Sequence, residues 1–395
     1  MSAAHPKYMK QVVFIANLLF CFSLAIAAFS NSTFIQQAVH EKAVGFLYAG
    51  ASLLTIFILS GAAKKMARVG NRMFYMLYAT IHAAALAVLI MPAGPVLHTL
   101  AFITYLFSSY IIVFSLDVFF GSAVGHRNRG TARGLYLLLG NIGWVFAPII
   151  GAFIIREFGF QGTYGIALGM FVIVTILLEV GLRKYRAEAH TPHHAHFSLW
   201  HVLKKKTLGS VVGANFILHF FYAWMVVYTP IYLSVHLGLP WEVIGILFSI
   251  MLTAFVILDY PLGRLADKFG SEKELAAIGF LIMTASVIGL AFLPPSVFTI
   301  GLCLFFSRVG AATVEAMTEI HFFKLAKDDD PRLLSIFRDI RPLAYLIGPL
   351  LGVLVIALLP FKMIFVILAG FLFMGFCIAL GMEQTRGWWH KAHRN

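Results

Sequence analysis

The sequence predicts an all-α membrane protein with twelve transmembrane helices in two six-helix bundles, and three observations lead to this prediction. Hydrophobic residues make up 60% of the chain, charged residues only 12%, and the mean hydropathy is +0.87. Soluble globular domains do not show such a balance. The 395 residues leave room for about twelve apolar segments of ~20 residues joined by short loops. Finally, certain glycines and a P-x-x-G run recur as landmarks in the second part of the chain, which indicates two related halves.

The recurring landmarks are separated by 200 or 201 residues. Each pair places the same residue type in the same setting, either a glycine or a P-x-x-G run. Matches at one nearly constant offset indicate two parallel six-helix repeats, a design that places a substrate site at their interface near the bilayer midplane. The pairs are Gly45 with Gly245, Gly70 with Gly270, and Pro148–Gly151 with Pro349–Gly352.

Twelve apolar runs separated by turn residues and charges are the predicted spans. The first run follows Lys7 and Lys10 and imitates a signal peptide, but the repeat requires it as span 1, so we expect it to be retained. The predicted domains are an N-terminal bundle over 1–183, a cytoplasmic linker over 184–206 and a C-terminal bundle over 207–395. The spans are 11–33, 42–62, 73–91, 96–125, 133–155, 162–182, 207–235, 241–262, 274–293, 297–325, 332–359 and 361–382.

Lysine and arginine are concentrated in alternate loops, and this distribution predicts the topology. The two termini and every second loop hold nearly all of these bases, and such bases mark the cytoplasmic side of a membrane. We therefore expect both termini in the cytoplasm and a location in a cell membrane, with a bacterial cytoplasmic membrane favoured. The formal net charge of +13 is then explained by topology and by contacts with anionic lipids, so no nucleic-acid partner is expected.

Several chemistries find no support in the sequence. It has no phosphate loop, nucleotide site or Ser–His–Asp constellation, so we expect neither an enzyme nor a cofactor. The three cysteines, Cys21, Cys303 and Cys377, fall inside apolar runs, which argues against disulfides and metal sites. Histidines in the linker allow a metal-binding tract as one interpretation, but a solvated linker is favoured because nothing fixes their geometry. These histidines are His190, His193, His194, His196 and His201.

A short charged stretch interrupts the apolar runs two-thirds of the way along the chain. Asp259–Lys273 reads D-Y-P-L-G-R-L-A-D-K-F-G-S-E-K, and we interpret it as a tight cytoplasmic loop whose glycines allow close backbone approach. A weaker copy, Ala63–Arg72, follows span 2 and has Ala67 where the stronger copy has an aspartate. The motif positions of the stronger copy are Gly263, Arg264, Asp267, Lys268 and Gly270.

The run G-R-L-A-D-K-F-G closely resembles the signature loop G-x-L-A-D-R-x-G-R-K of the major facilitator superfamily (MFS). The P-x-x-G runs of spans 5 and 11 are similar to a G-P-x-x-G element of the same family, so the resemblance covers nearly the whole chain. It implies a secondary transporter that works by alternating access, with the signature loop taking part in gating. It also implies that spans 1, 4, 7 and 10 line the substrate cavity.

Span 10 carries three ionisable residues on one helical face, Arg308, Glu315 and Glu319. A polar stripe on an apolar helix needs a cavity or a partner. Span 11 offers Arg338 and Arg341 at the depths of Glu319 and Glu315, roughly 8–9 Å and 13–14 Å from the cytoplasmic end. Two structural ion pairs are the favoured interpretation. The alternative makes Glu315 a protonation site that Arg341 releases during turnover.

Arg308 and one further residue, Asp117, lie deep in apolar spans. Arg308 is roughly 24 Å from the cytoplasmic end of span 10, and an arginine cannot shed its charge. We interpret it as a contact for an anionic substrate group or as a structural arginine. Asp117, roughly 12 Å deep in span 4, is either a proton-binding acid or the partner of Arg133 or another base.

Span 7 places Asn215, His219 and Tyr222 on one face, at spacings of four and three residues. His219 suits a packing role and a ligand role equally well. His82 belongs to span 3, which is peripheral in the resembled fold, and we interpret it as a packing residue.

These features predict an MFS secondary transporter for a small organic, amphipathic or drug-like solute, with proton-coupled export favoured. Uptake of an organic anion or sugar by proton symport is the alternative, with Arg308 as the anion clamp. A membrane-embedded enzyme or a transport-inactive scaffold is the remote alternative. The expected partners are the small-molecule substrate, protons and the lipid bilayer, and we expect a monomer.

Overall fold

A computed structural model of the chain describes residues 4–124, 129–182, 206–269, 272–325 and 331–382. Every regular element in these ranges is helical. The helices are α1 (Ala4–Ala28), α2 (Asn31–Gln36), α3 (Glu41–Val69), α4 (Asn71–Ile90), α5 (Pro95–Ala123), α6 (Arg129–Gly181), α7 (Lys206–Ile231, continued by a π-helical turn over Tyr232–His236), α8 (Trp241–Phe269), α9 (Glu272–Phe292), α10 (Val297–Leu325), α11 (Pro331–Leu358) and α12 (Met363–Leu380).

Eleven segments of the described chain are long and apolar enough to cross a membrane, and one of them contains two spans. Leu135–Gly181 is 47 residues long, about twice the length that a bilayer requires. Gly159 interrupts it with φ 67° and ψ −174°, a conformation that side chains other than glycine rarely adopt. The chain reverses there, so α6 supplies spans 5 and 6, and the predicted all-α architecture of twelve transmembrane helices is confirmed.

Two predicted spans have irregular C-terminal ends. Span 1 is broken after Ala28, and the short helix α2 follows, with the Ser30 hydroxyl donating to the carbonyl of Ala27 at 3.1 Å. Span 7 ends in the π-helical turn over Tyr232–His236. Hydroxyl-to-backbone bonds offer the chain an alternative to the helical ladder, which explains the break that hydrophobicity alone did not predict.

The signature stretch is helical where the sequence predicted a loop. The backbone of α8 runs through Gly263, Arg264, Asp267 and Lys268 as far as Phe269, because one glycine inside a helix costs only about 1 kcal/mol. Gly270 and the side chains of the other four motif residues lie outside what the structure describes. In the weaker copy the reversal between α3 and α4 is a single residue, Gly70, with φ 82°.

The described residues form two compact units. Unit 1 comprises Met1–Pro192 and Val226–Ser249, and unit 2 comprises His193–Met225 and Ile250–Asn395. The end of α7 and the start of α8 thus belong to unit 1. The linker predicted over 184–206, including its histidines, lies almost entirely outside the described residues, so its boundaries remain predictions.

Unit 1 is held together by close approach of α1 to α6. A Cβ on Gly151 would lie 2.8 Å from the carbonyl oxygen of Ile26, and one on Gly143 would lie 3.1 Å from the backbone nitrogen of Phe22. Glycines let the backbones touch, as small residues commonly do between membrane helices. Gly245 of α8 fits equally tightly, since its Cβ would lie 2.4 Å from that of Ala152 and 2.6 Å from the carbonyl oxygen of Pro148.

Unit 2 packs α9 against α10 and α12. A Cβ on Gly310 would lie 2.5 Å from the carbonyl oxygen of Gly279, and a Cβ on Gly375 would lie 2.6 Å from the ring of Phe280. Gly310 follows Arg308 by two residues, so this contact fixes the part of α10 that carries the deepest arginine.

Candidate functional site

The clearest polar contact inside unit 2 joins α7 to α10. The hydroxyl of Tyr222 donates to Oε2 of Glu315 at 2.6 Å, a short distance typical of bonds to a carboxylate. Both side chains are half-buried. Two of the residues predicted separately on spans 7 and 10 are therefore in direct contact.

Arg308 lies beside this bond and is almost completely buried, with 3% of its surface exposed. Its guanidinium carbon is 5.0 Å from the ring centroid of Phe221 and 5.5 Å from that of Tyr222. Among the described residues its Nε has no hydrogen-bond partner. A buried guanidinium with an unused donor is costly unless an anion or water also reaches it, even where ring faces stabilise the cation. We call Tyr222, Arg308 and Glu315 the Tyr222 cluster.

A second guanidinium contributes to the same electrostatic environment. Arg341 of α11 lies 6.0 Å from the ring centroid of Tyr345, and both it and Arg308 are close enough to act on the charge of Glu315. The predicted Glu315–Arg341 pair stays a prediction, because the described partner of this carboxylate is Tyr222. Two arginines among the described residues therefore act on this one carboxylate.

His219 is oriented by its own helix. Its Nδ1 lies 3.0 Å from the backbone oxygen of Asn215, and since a carbonyl only accepts, Nδ1 carries the proton and Nε2 is left as the acceptor. Its ring centroid is 5.8 Å from that of Tyr222. The side-chain nitrogen of Asn215, a buried residue, has no partner among the described residues. All three predicted residues of span 7 thus lie on one helical face in unit 2.

The other predicted site residues do not join the Tyr222 cluster in the described structure. Glu319 is exposed on α10, and the side chain of Arg338 lies outside the described residues, so their pairing remains a prediction. Asp117 is half-buried on α5 in unit 1. No group of three His, Cys, Asp or Glu side chains in the described ranges is arranged to hold a metal ion.

Unit 1 contains a different kind of polar interior. The hydroxyl of Tyr164 donates to Oδ1 of Asn31 at 2.7 Å, and Nδ1 of His82 lies 2.9 Å from the hydroxyl of Ser108. His82 is completely buried, and its ring packs 4.5 Å from that of Phe171. We call these four polar residues the Asn31 cluster. The structure supports the packing role that we predicted for His82.

Sequence reasoning missed Phe221 and Tyr345. Phe221 is the ring nearest to the Arg308 guanidinium, yet it is one of 38 phenylalanines, most of which meet lipid or other apolar groups. Its position next to Tyr222, opposite the arginine of span 10, was the feature from which its contact with Arg308 could have been predicted. That feature becomes visible only when the facing sides of α7 and α10 are known.

A polytopic helical fold with an arginine buried beside a half-buried glutamate inside one bundle is typical of membrane transport proteins. The comparison with family models agrees with this class. The chain matches the model of the Major Facilitator Superfamily over residues 13–258 and 213–391. It belongs to that superfamily, and the resemblance drawn from the signature stretch is confirmed.

Similar curated proteins are themselves uncharacterized MFS-type transporters. YcaD of Escherichia coli O6:K15:H31 is 24% identical over 232 residues, covering 57% of this chain and 56% of that protein. YE1530 of Yersinia enterocolitica is 22% identical over 249 residues, covering 62% and 61%. The matched region thus spans little more than half the length of these relatives.

Solved structures of MFS transporters share the fold at low sequence identity. A bacterial homolog of the human lysosomal transporter Spinster has a TM-score of 0.77 at 13% identity, covering 96% of this chain and 97% of that one. A bacterial homologue of the iron transporter ferroportin gives 0.76 at 15%, covering 96% and 99%. The nucleoside transporter NupG gives 0.69 at 13%, covering 95% and 98%. Such identities establish the fold alone.

Proposed function

We propose that this protein is a proton-coupled secondary transporter of a small organic solute, with Glu315 as the proton-binding residue. One observation carries the proposal: a carboxylate inside a membrane bundle is held by the Tyr222 hydroxyl at 2.6 Å, with two arginines near it. Ionisable groups at such positions are costly and usually serve transport. Alternating access is the mechanism that membership of the family implies.

Between the two predicted substrate classes, the Tyr222 cluster favours an organic anion. Arg308 has an Nε without a partner among the described residues, and two described arginines act on the single carboxylate of Glu315. A carboxylate is the ligand whose geometry matches a guanidinium best. The other candidate, export of a neutral or cationic amphipathic solute, is favoured by the aromatic rings of Phe221 and Tyr222, which offer apolar contact area.

Direction and membrane location extend the proposal. For the favoured organic anion the direction predicted from the sequence is uptake by proton symport, and export is the direction predicted for an amphipathic solute. We place both termini in the cytoplasm of a bacterial cell because of the distribution of lysine and arginine. Cysteine labelling at Ser198 is expected only from the cytoplasmic side, and labelling from outside would contradict this topology.

Transport by reconstituted protein tests the proposal. Benzoate serves as the probe anion and benzamide as its neutral counterpart, and a pH-sensitive dye inside the vesicles reports proton movement. We expect benzoate, but not benzamide, to drive proton movement faster than in protein-free vesicles, which benzoic acid enters by diffusion, and Glu315→Gln to abolish this excess. Glu157→Gln, which changes a carboxylate with 56% exposure, is the matched control. Proton movement by Glu315→Gln at the unmodified rate would contradict the assignment.

A further inference from the structure

We propose that Tyr222 is a positioning residue that couples proton binding to anion binding, because its hydroxyl donates to whichever carboxylate is ionised. This inference rests on the proposed function of Glu315 and Arg308. In the ligand-free protein the acceptor is Glu315. When Glu315 takes up a proton and an anion arrives at Arg308, the hydroxyl turns to the carboxylate of the ligand.

The geometry gives Tyr222 contact with both charges. Its hydroxyl is 2.6 Å from the Glu315 carboxylate, and its ring centroid is 5.5 Å from the guanidinium carbon of Arg308. An anion that paired with Arg308 would therefore bind next to the same hydroxyl. Tyr222 and Glu315 are half-buried, so the hydrogen bond between them is less buried than the neighbouring Arg308.

The charges around Glu315 explain why proton and anion should bind together. The described groups that act on this carboxylate are Tyr222 from α7, Arg308 from its own helix and Arg341 from α11. While Glu315 is ionised, it partly neutralises both guanidiniums and it occupies the tyrosine hydroxyl. Protonation removes the negative charge and frees the hydroxyl, and the arginines remain charged.

The balance of charge follows from this exchange. One proton passes from water to the Glu315 carboxylate, and one negative charge arrives with a monovalent carboxylate. The total charge of the Tyr222 cluster is the same before and after. Cotransport of one proton with one monoanion would consequently move no net charge across the membrane.

The hydroxyl makes a distinct contribution to this coupling. A ligand that binds to the protonated form gains the freed hydroxyl as a donor. A ligand that binds to the ionised form gains nothing from it, because Glu315 already holds it. Removing the hydroxyl should therefore weaken binding only to the protonated form, by about tenfold for one hydrogen bond to a charged group.

Tyr222→Phe tests this asymmetry, because it keeps the ring under Arg308 and removes only the oxygen. Infrared spectra of the ligand-free protein at different pH values, with Glu315→Gln to assign the bands, define where Glu315 is protonated and where it is ionised. Benzoate binding is then measured under both conditions by tryptophan quenching. Tyr228→Phe, a buried tyrosine of the same helix, is the matched control.

We expect Tyr222→Phe to raise the Kd for benzoate by about tenfold where Glu315 is protonated and to leave it unchanged where Glu315 is ionised. The carboxylate bands of Glu315 should also shift, because their donor is gone. Equal weakening under both conditions would show a merely structural role and overturn the inference, as would unshifted bands.

Failure of the proposed function has a separate signature. If the unmodified protein binds no benzoate under either condition, the organic-anion assignment fails. The infrared bands of the ligand-free protein then still decide whether Tyr222 positions Glu315, because they require no ligand.

Discussion

The Asn31 cluster of unit 1 and the Tyr222 cluster of unit 2 are both polar groups inside helical bundles, but they differ in charge. In unit 1 the groups are hydroxyls, an amide and an imidazole, joined by bonds of 2.7 Å and 2.9 Å. In unit 2 a carboxylate and a guanidinium lie beside the same tyrosine, and the guanidinium Nε has no described partner.

The difference separates buried polarity that stabilises a bundle from buried polarity that can bind a ligand. Nε2 of His82 also has no partner among the described residues, but an uncharged ring nitrogen costs less to bury than a charge does. A buried arginine with an unused donor carries a free-energy cost that a ligand can remove. We therefore propose that the substrate contacts lie in unit 2 and that the Asn31 cluster is structural.

The largest expected effect is the loss of anion binding on replacing Arg308. Arg308→Met replaces the arginine with an uncharged side chain of similar length. It should weaken benzoate binding by about a hundredfold. The melting temperature should stay level or rise, because a buried charge with an unused donor at Nε is removed. The benzoate affinity of Arg308→Lys should lie between those of the unmodified protein and Arg308→Met, since the charge is kept but the guanidinium fork is lost. Tryptophan quenching measures benzoate binding, and thermal melting measures the melting temperature.

A stably folded Arg308→Met protein that binds benzoate as tightly as the unmodified protein would show that the Tyr222 cluster does not bind the anion. The proposed difference in role between the two clusters would then be wrong. A fall in melting temperature with binding otherwise intact would instead assign Arg308 a structural role.

The packing that positions Arg308 should be the next most sensitive feature. Gly310→Ala would place a methyl group 2.5 Å from a backbone oxygen of α9, so the helices must separate, at a cost of about 1–3 kcal/mol. Benzoate affinity should fall with stability because the arginine moves. Gly213→Ala is the matched control, since its nearest neighbour lies at 3.6 Å. If denaturation shows equal stability for both variants, the glycine contact does not position α10.

The smallest effect is expected in the Asn31 cluster. Tyr164→Phe leaves the acceptor oxygen of Asn31 without its donor and should cost about 1 kcal/mol of stability. Benzoate affinity and proton movement should not change. A Tyr164→Phe protein of normal stability that had lost proton coupling would place functional chemistry in unit 1 as well.

Most of the fold could be predicted from the sequence because hydrophobicity, turn residues and internal repetition each report on the same membrane spans. The signature stretch was wrongly predicted as a loop, since its charges and Gly263 outweighed the helix-compatible residues around them. The helix continues to Phe269, and a local motif does not reveal where its turn begins.

The candidate site could be predicted only one helix at a time. The periodicity of α7 and α10 identified Tyr222, Arg308 and Glu315, because polar residues on an apolar helix stand out. Their mutual contact, the role of Phe221 and the protonated nitrogen of His219 depend on how two helices face each other. Spacing within one helix carries no information about that.

The fit around Gly245 has a consequence for natural variation. Even with a glycine at position 152, an alanine at 245 would still approach the carbonyl oxygen of Pro148 to 2.6 Å, and no change of side chain at 148 removes a backbone atom. Position 245 should therefore be nearly invariant among descendants of this protein. Gly50 and Gly61, which have open space where a Cβ would lie, should drift freely.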